Sequence, residues 1–187
     1  MIQSRRRGVT LIEVLVSSFI TILCLSAAVG IFLLGMATWL RGQARIDANG
    51  TSEHAVRNMS NELREAMLLT VDGNGQGITY ERPAKDASGN YTVPLTWDGV
   101  TRRFYLDANG NIQWSVNGIN QKLLCTNVTT TDPVTNKPYV IFTPAAGTLF
   151  HSLTIEVANQ KSSYEQEQAS SRSRETVYLR NVPSLSE

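Results

Sequence analysis

Arg5-Arg6-Arg7-Gly8-Val9-Thr10-Leu11-Ile12-Glu13 decides how the rest of this chain is read. Three arginines precede a glycine, and an apolar run then carries to Leu40. After Glu13 that run contains no Asp, Glu, Lys, Arg, His or Pro. Roughly 20 apolar residues of helix cross a hydrocarbon core, so the run spans a bilayer with residues to spare. Arg5, Arg6 and Arg7 hold its N-terminal end in the cytoplasm, which puts everything after Leu40 on the other side. Glu13 stands out. A carboxylate at full membrane depth costs on the order of 2.5 kcal/mol or more, so it marks either a functional group or a side chain high enough to reach headgroups and water.

A secretory signal is cut after its apolar core. No A-x-A site follows this run, and the marked junction lies before it, at Gly8. The basic leader, Gly8 and the Val9-Thr10-Leu11-Ile12-Glu13-Val14-Leu15-Val16 stretch resemble the class III leader of type IV pilins and of type II secretion pseudopilins. The resemblance implies cleavage by prepilin peptidase between Gly8 and Val9, and methylation of the new Val9 amine. It also makes Glu13 the carboxylate that sets assembly register. Val9 stands where the family usually has phenylalanine. The implied partners are the peptidase, other pilins or pseudopilins in a helical filament, and an inner-membrane assembly platform. The implied location is the cytoplasmic membrane as a single-pass precursor, then a pilus or a periplasmic pseudopilus.

The chain has 187 residues, enough for one domain and an anchor, and a formal net charge of +1. Near-neutrality argues against nucleic acid as a partner, and Arg172 with Arg174 in a polar stretch reads as a solvated face. Cys24 falls in the membrane run and Cys125 in the distal part, so the two are not expected to pair. Many major pilins close a C-terminal loop with a disulfide; without it, the resemblance narrows to a minor pilin or a pseudopilin.

Downstream, Val56, Met59, Leu63, Ala66 and Met67 recur at helical spacing, so the helix is expected to continue amphipathically to about residue 70. Gly30 and Gly35 weaken its apolar half or let helices pack closely. Val71-Asp72-Gly73-Asn74-Gly75-Gln76-Gly77 reads as a breaker. Its spacing suggests half a calcium loop, but Pro83 stands at the closing position, so turn chemistry is the better reading. Strands are then expected at Ile78–Glu81, Tyr91–Trp97 (an edge strand, because of Pro94), Arg103–Leu106, Ile112–Val116, Leu123–Val128, Tyr139–Phe142, Leu149–Val157 and Thr176–Val182. Asp107-Ala108-Asn109-Gly110-Asn111 supplies the clearest hairpin turn. Residues 159–175 are nearly devoid of apolar side chains and read as a mobile loop.

The expected organisation is therefore a leader over 1–8, an assembly helix half over 9–40, an amphipathic half over 41–70 and a β-rich domain over 71–187. The fold class is α+β: a long N-terminal helix, spanning the membrane with its first half, packed on a C-terminal antiparallel sheet, as in type IV pilins. Asn61-Glu62-Leu63-Arg64-Glu65-Ala66 and the closing Val177–Val182 segment look like PilW-type minor pilins and J-type minor pseudopilins. No catalytic residues, cofactor or metal site is expected. His54 and His151 have no ligand-spaced companions, and no nucleophile, zinc or phosphate-loop motif occurs. The expected function is that of a minor pilin subunit serving adhesion, motility or DNA uptake. The alternatives are a minor pseudopilin of a secretion system and a signal-anchored extracytoplasmic binding protein that never assembles.

Overall fold

The computed structural model describes residues 9–132, 135–145, 152–162 and 168–179. The chain divides into two compact units, Met1–Gly42 and Gln43–Glu187. One helix, α1 (Leu11–Arg64, 54 residues), contributes to both.

In the first unit α1 carries apolar side chains on every face. Its most apolar stretch has a mean hydropathy of 2.5 with none of it buried. At 1.5 Å per residue, the portion from Leu11 to Gly42 is about 48 Å long, against a hydrocarbon thickness of about 30 Å.

The second unit begins with the other part of α1, which buries Ala44, Ala48, Ser52, Ala55, Val56, Met59, Ser60 and Leu63. This stripe recurs every three or four residues and faces the sheets. Five strands follow as an antiparallel meander: β1 (Leu68–Val71), β2 (Gly77–Glu81), β3 (Arg102–Leu106), β4 (Ile112–Val116) and β5 (Ile119–Cys125). A second antiparallel sheet holds β6 (Phe142–Pro144), β7 (Ser152–Ser162) and β8 (Gln168–Tyr178) in that order. The core joins Val56, Met59 and Leu63 of α1 to Ile78, Tyr80, Phe104 and Ile112 from the first sheet. Phe142, Leu153, Ile155, Val157 and Val177 from the second sheet complete it. The fold is thus α+β, an N-terminal helix on antiparallel sheet, as expected.

Five sequence expectations need correction. The helix stops at Arg64, short of residue 70. From Met67 the backbone turns to β2 instead, with Met67 N–H donating to the Glu81 carbonyl at 2.9 Å, and Leu69 reaches the core from a strand. Leu68-Leu69-Thr70-Val71 suits a half-buried pleat better than another helical turn.

Tyr91–Trp97 is not a strand. It folds back on residues 82–85 through the single bridges Pro83–Trp97 and Lys85–Tyr91, and Pro94, after a cis peptide, has no N–H for a ladder.

The strand expected at Leu123–Val128 also moves: β5 starts at Ile119 and ends at Cys125, because Asn117 and Gly118 adopt φ of 49° and 79° and close a two-residue hairpin. Beyond it, Val128 makes only an isolated bridge to Asn159. Similarly, β6 lies over Phe142–Pro144 rather than Tyr139–Phe142.

The largest correction concerns residues 159–175. Their described parts are not a loop: 159–162 belong to β7 and 168–175 to β8, in continuous register from Asn159–Ser171 to Ser162–Gln168. The polar side chains that argued for a loop are matched by polar groups on α1. Lys161 pairs with Asp47 at 2.8 Å, and Glu175 accepts from Ser60 at 2.7 Å and from Arg64 at 2.9 Å. Residues 163–167, His151 and the segment from Arg180 lie outside the described residues.

One turn is among the ties between the two sheets. Gly75, at φ 67°, turns the chain between β1 and β2, and its carbonyl accepts from both Ile141 and Phe142 N–H at 2.9 Å. A Cβ there would meet Val140 Cγ1 at 2.6 Å, so the position needs glycine on two counts.

On the outer face of the second sheet, Glu156 accepts from the Tyr139 hydroxyl and, at 2.6 Å, from Arg172. Burial opposes the anion, but the Tyr139 hydrogen bond and the Arg172 guanidinium together hold its carboxyl below the usual range. A depressed folded pKa contributes stability that is complete above the unfolded value of about 4.3 and is lost as pH falls through the folded value. Glu156→Gln is therefore expected to flatten the acid limb of a stability-against-pH curve below about pH 4.3. An unchanged limb in urea titrations would show that the network adds nothing.

Candidate processing and assembly site

The described part of the site is the start of α1. Val9 and Thr10 precede the helix, Leu11 is its first residue, and Glu13 is the acidic residue of its first turn. Thr10 caps the helix. Its Oγ1 accepts from the Glu13 N–H at 3.4 Å, while its carbonyl accepts from Glu13 and Val14 N–H at 3.1 and 3.2 Å. Thr10-Leu11-Ile12-Glu13 has the T-x-x-E spacing of a capping box, of which the threonine half is formed here. A carboxylate in a first helical turn also faces the positive end of the helix dipole. That capping role went unread in the sequence, although the T-x-x-E signal was present. Thr10→Ala is expected to destabilise the first turn by about 0.5–2 kcal/mol, read as faster hydrogen exchange of the Leu11–Val14 amides with the rest of α1 unchanged.

Beyond Glu13 the helix hides its own polar groups. Ser18, Thr21 and Thr38 hydroxyls donate to carbonyls four residues back at 2.7–2.9 Å, and Ser17 and Ser26 to carbonyls three back at 3.0 and 2.9 Å. In lipid every polar group must find a partner within the protein, and these hydroxyls find theirs within one turn. What remains outward is Leu, Ile, Val and Phe, with Glu13 as the one formal charge between Leu11 and Leu40. Val9 is 71% exposed, so both its backbone and side chain are open to an enzyme or a neighbour.

Of the residues singled out from sequence, the structure places Val9 and Glu13 at the two ends of this cap. Gly8 and the arginines at 5, 6 and 7 lie outside the described residues. Cys24 is exposed in the first unit and Cys125 buried in the second, both as free thiols. Burial pushes the Cys125 thiol up and keeps it unreactive. The two aspartate turns have internal partners. Asp107 accepts from the N–H groups of Asn109 and Asn111 and from Gln113 Nε2 at 2.7–2.9 Å, and Asp72 pairs with Arg103 at 2.7 Å. Burial opposes the Asp107 anion, but those donors hold its carboxyl below the usual range. His54 is exposed on α1.

Residues 3–29 match the family model of the prokaryotic N-terminal methylation motif. No curated protein and no solved structure matches the chain. The motif spans Gly8, Val9 and Glu13 and ends inside the apolar helix. It carries processing by prepilin peptidase and assembly with other pilins with it. The N-terminal methylation motif over residues 3–29 opens a single long apolar helix, and in this the chain is similar to type IV pilins and pseudopilins.

Proposed function

We propose that the protein is a minor pilin-type structural subunit, cut after Gly8, methylated at Val9 and assembled through α1 into a filament. The observation that carries this reading is the leader motif over residues 3–29 followed by a helix that presents apolar side chains all round and one carboxylate, Glu13. Its role is structural rather than catalytic. The precursor sits in the inner membrane with Arg5, Arg6 and Arg7 in the cytoplasm and the second unit outside. Cleavage turns a backbone amide at Val9 into a cationic amine. In the filament the Glu13 carboxylate of an incoming subunit meets the Val9 amine of its neighbour. An ion pair between apolar helices is strong where water is excluded, and it compensates the burial of both charges. The apolar halves replace lipid contacts with one another, guided by an inner-membrane assembly platform.

Mass analysis of the N-terminus of the native protein tests the processing step. The expected terminus is methylated Val9. A terminus at Met1, or one after Leu40, overturns the reading. Replacing Gly8 with a bulky residue is expected to leave only uncut precursor on a gel; normal processing of that variant moves the junction elsewhere.

A further inference from the structure

The β7–β8 hairpin holds α1 in two chemically different ways. Its inner half, residues 152–157 and 174–178, buries Leu153, Ile155, Val157 and Val177 in the core beside Val56, Met59 and Leu63. The outer half, residues 158–162 and 168–173, sets polar side chains of residues 159, 161 and 171 on the helix. Its β7 edge is bonded to residues 127–129, with Thr129 N–H donating to the Ala158 carbonyl at 2.8 Å and Gln160 N–H to the Asn127 carbonyl at 2.9 Å. Lys161 Nζ is 2.8 Å from Asp47, with both side chains about half exposed. Asn159 Nδ2 donates to the Ala48 carbonyl at 3.1 Å. Ser171 donates to Asn49 Oδ1, and its hydroxyl lies 3.2 Å from that of Ser52. Among the described residues, one group in this seam is left without a partner: Asn159 Oδ1, in a residue only 4% exposed. The amide cannot simply be turned over, because that would point its oxygen at the Ala48 carbonyl. A buried acceptor without a donor favours any state in which water reaches it.

A half-exposed ion pair and neutral hydrogen bonds hold weakly because water replaces them. Regions without buried apolar contacts open locally while the core stays folded. We propose that the outer half of the hairpin is a clasp that releases residues 47–52 of α1 while the inner half stays docked. Opening hydrates Asn159 and uncovers Ala48 and Ser52, side chains small enough for close approach of another helix. In the filament reading, on which this second step rests, the neighbour is the helix of an adjacent subunit, and opening is required for incorporation.

Hydrogen exchange on the full chain in detergent tests the clasp itself. Amides bonded between β7 and β8 in the outer half should exchange at least about tenfold faster than those of the inner half. Asp47→Lys should speed the outer amides further, and Asp47→Lys/Lys161→Asp should restore them. Equal protection of both halves, or no response to the charge reversal, overturns the proposal. The Ser52→Cys/Ser171→Cys pair, placed where the hydroxyls are 3.2 Å apart, then locks the clasp. When oxidised it should slow the outer amides to the inner rate and cut incorporation at least about tenfold, with reductant reversing both. Equal incorporation when oxidised and reduced removes the assembly step. If the wild type itself is missing from filaments, the filament reading fails while the exchange results still decide the clasp.

Discussion

Glu13→Val yields a protein that is inserted, cut after Gly8 and folded in its second unit, yet is nearly absent from filaments. The first three outcomes follow from what valine leaves alone. The apolar run becomes more uniform, the leader is unchanged, and Glu13 lies outside the second unit, Gln43–Glu187. The last outcome follows from charge. In an assembled bundle the Val9 amine of a neighbour would lose its counter-ion in a medium that cannot hydrate it. Breaking one side of a buried ion pair costs about 3–5 kcal/mol, which is more than a hundredfold in an association constant. Quantifying the variant in sheared filaments against the membrane fraction measures this directly. Glu13→Gln separates charge from shape: it keeps the length of the side chain and should fail nearly as badly. Co-assembly of either variant at wild-type levels would sink the pairing role, and loss of cleavage in Glu13→Val would assign the carboxylate to the peptidase instead.

Leu63→Ala should strongly destabilise the second unit. Leu63 is fully buried near the end of α1, in the same apolar cluster as Val56, Met59, Ile78 and Phe104. Truncation there loses the transfer energy of three carbons and leaves a cavity, for about 2–5 kcal/mol. Against a usual stability of about 5–15 kcal/mol, this is a large share. Urea unfolding followed by Trp114 fluorescence reads it as a lower midpoint at constant slope. A loss under about 1 kcal/mol would mean that neighbouring side chains collapse into the space. The nearby Tyr80 anchors the other side of this core: its ring stacks on Phe104 at 5.2 Å, and its hydroxyl joins Trp114 to Glu62 at 3.0 and 3.2 Å. Burial, with Glu62 beside it, drives the phenol to remain neutral well above its ordinary range.

The parts of the fold visible in the sequence are those specified by local chemistry. The apolar run from Val14 to Leu40 needs no partner to be read as a helix, and Asn109-Gly110 announces the β3–β4 turn through the positive φ that glycine allows. Asn117-Gly118 carries the same signal for the β4–β5 turn and starts β5 at Ile119 rather than at Leu123. The misreadings share a cause: they fall where tertiary partners decide. Leu68–Val71 completes a strand only because β2 offers its edge. Residues 159–175 look like a solvated loop because their polarity is complementary to α1, and composition cannot show complementarity. The residues proposed for processing and assembly, Gly8, Val9 and Glu13, stand within a linear motif over residues 3–29 that owes nothing to the β-domain.

The Gly75 carbonyl joins the five-stranded and three-stranded sheets through main chain alone, by accepting from Ile141 and Phe142. A joint of that kind is blind to side-chain chemistry on either sheet. At this point the meeting of the sheets is therefore insensitive to side-chain changes on the exposed faces of β5 and β8, provided one glycine keeps its place.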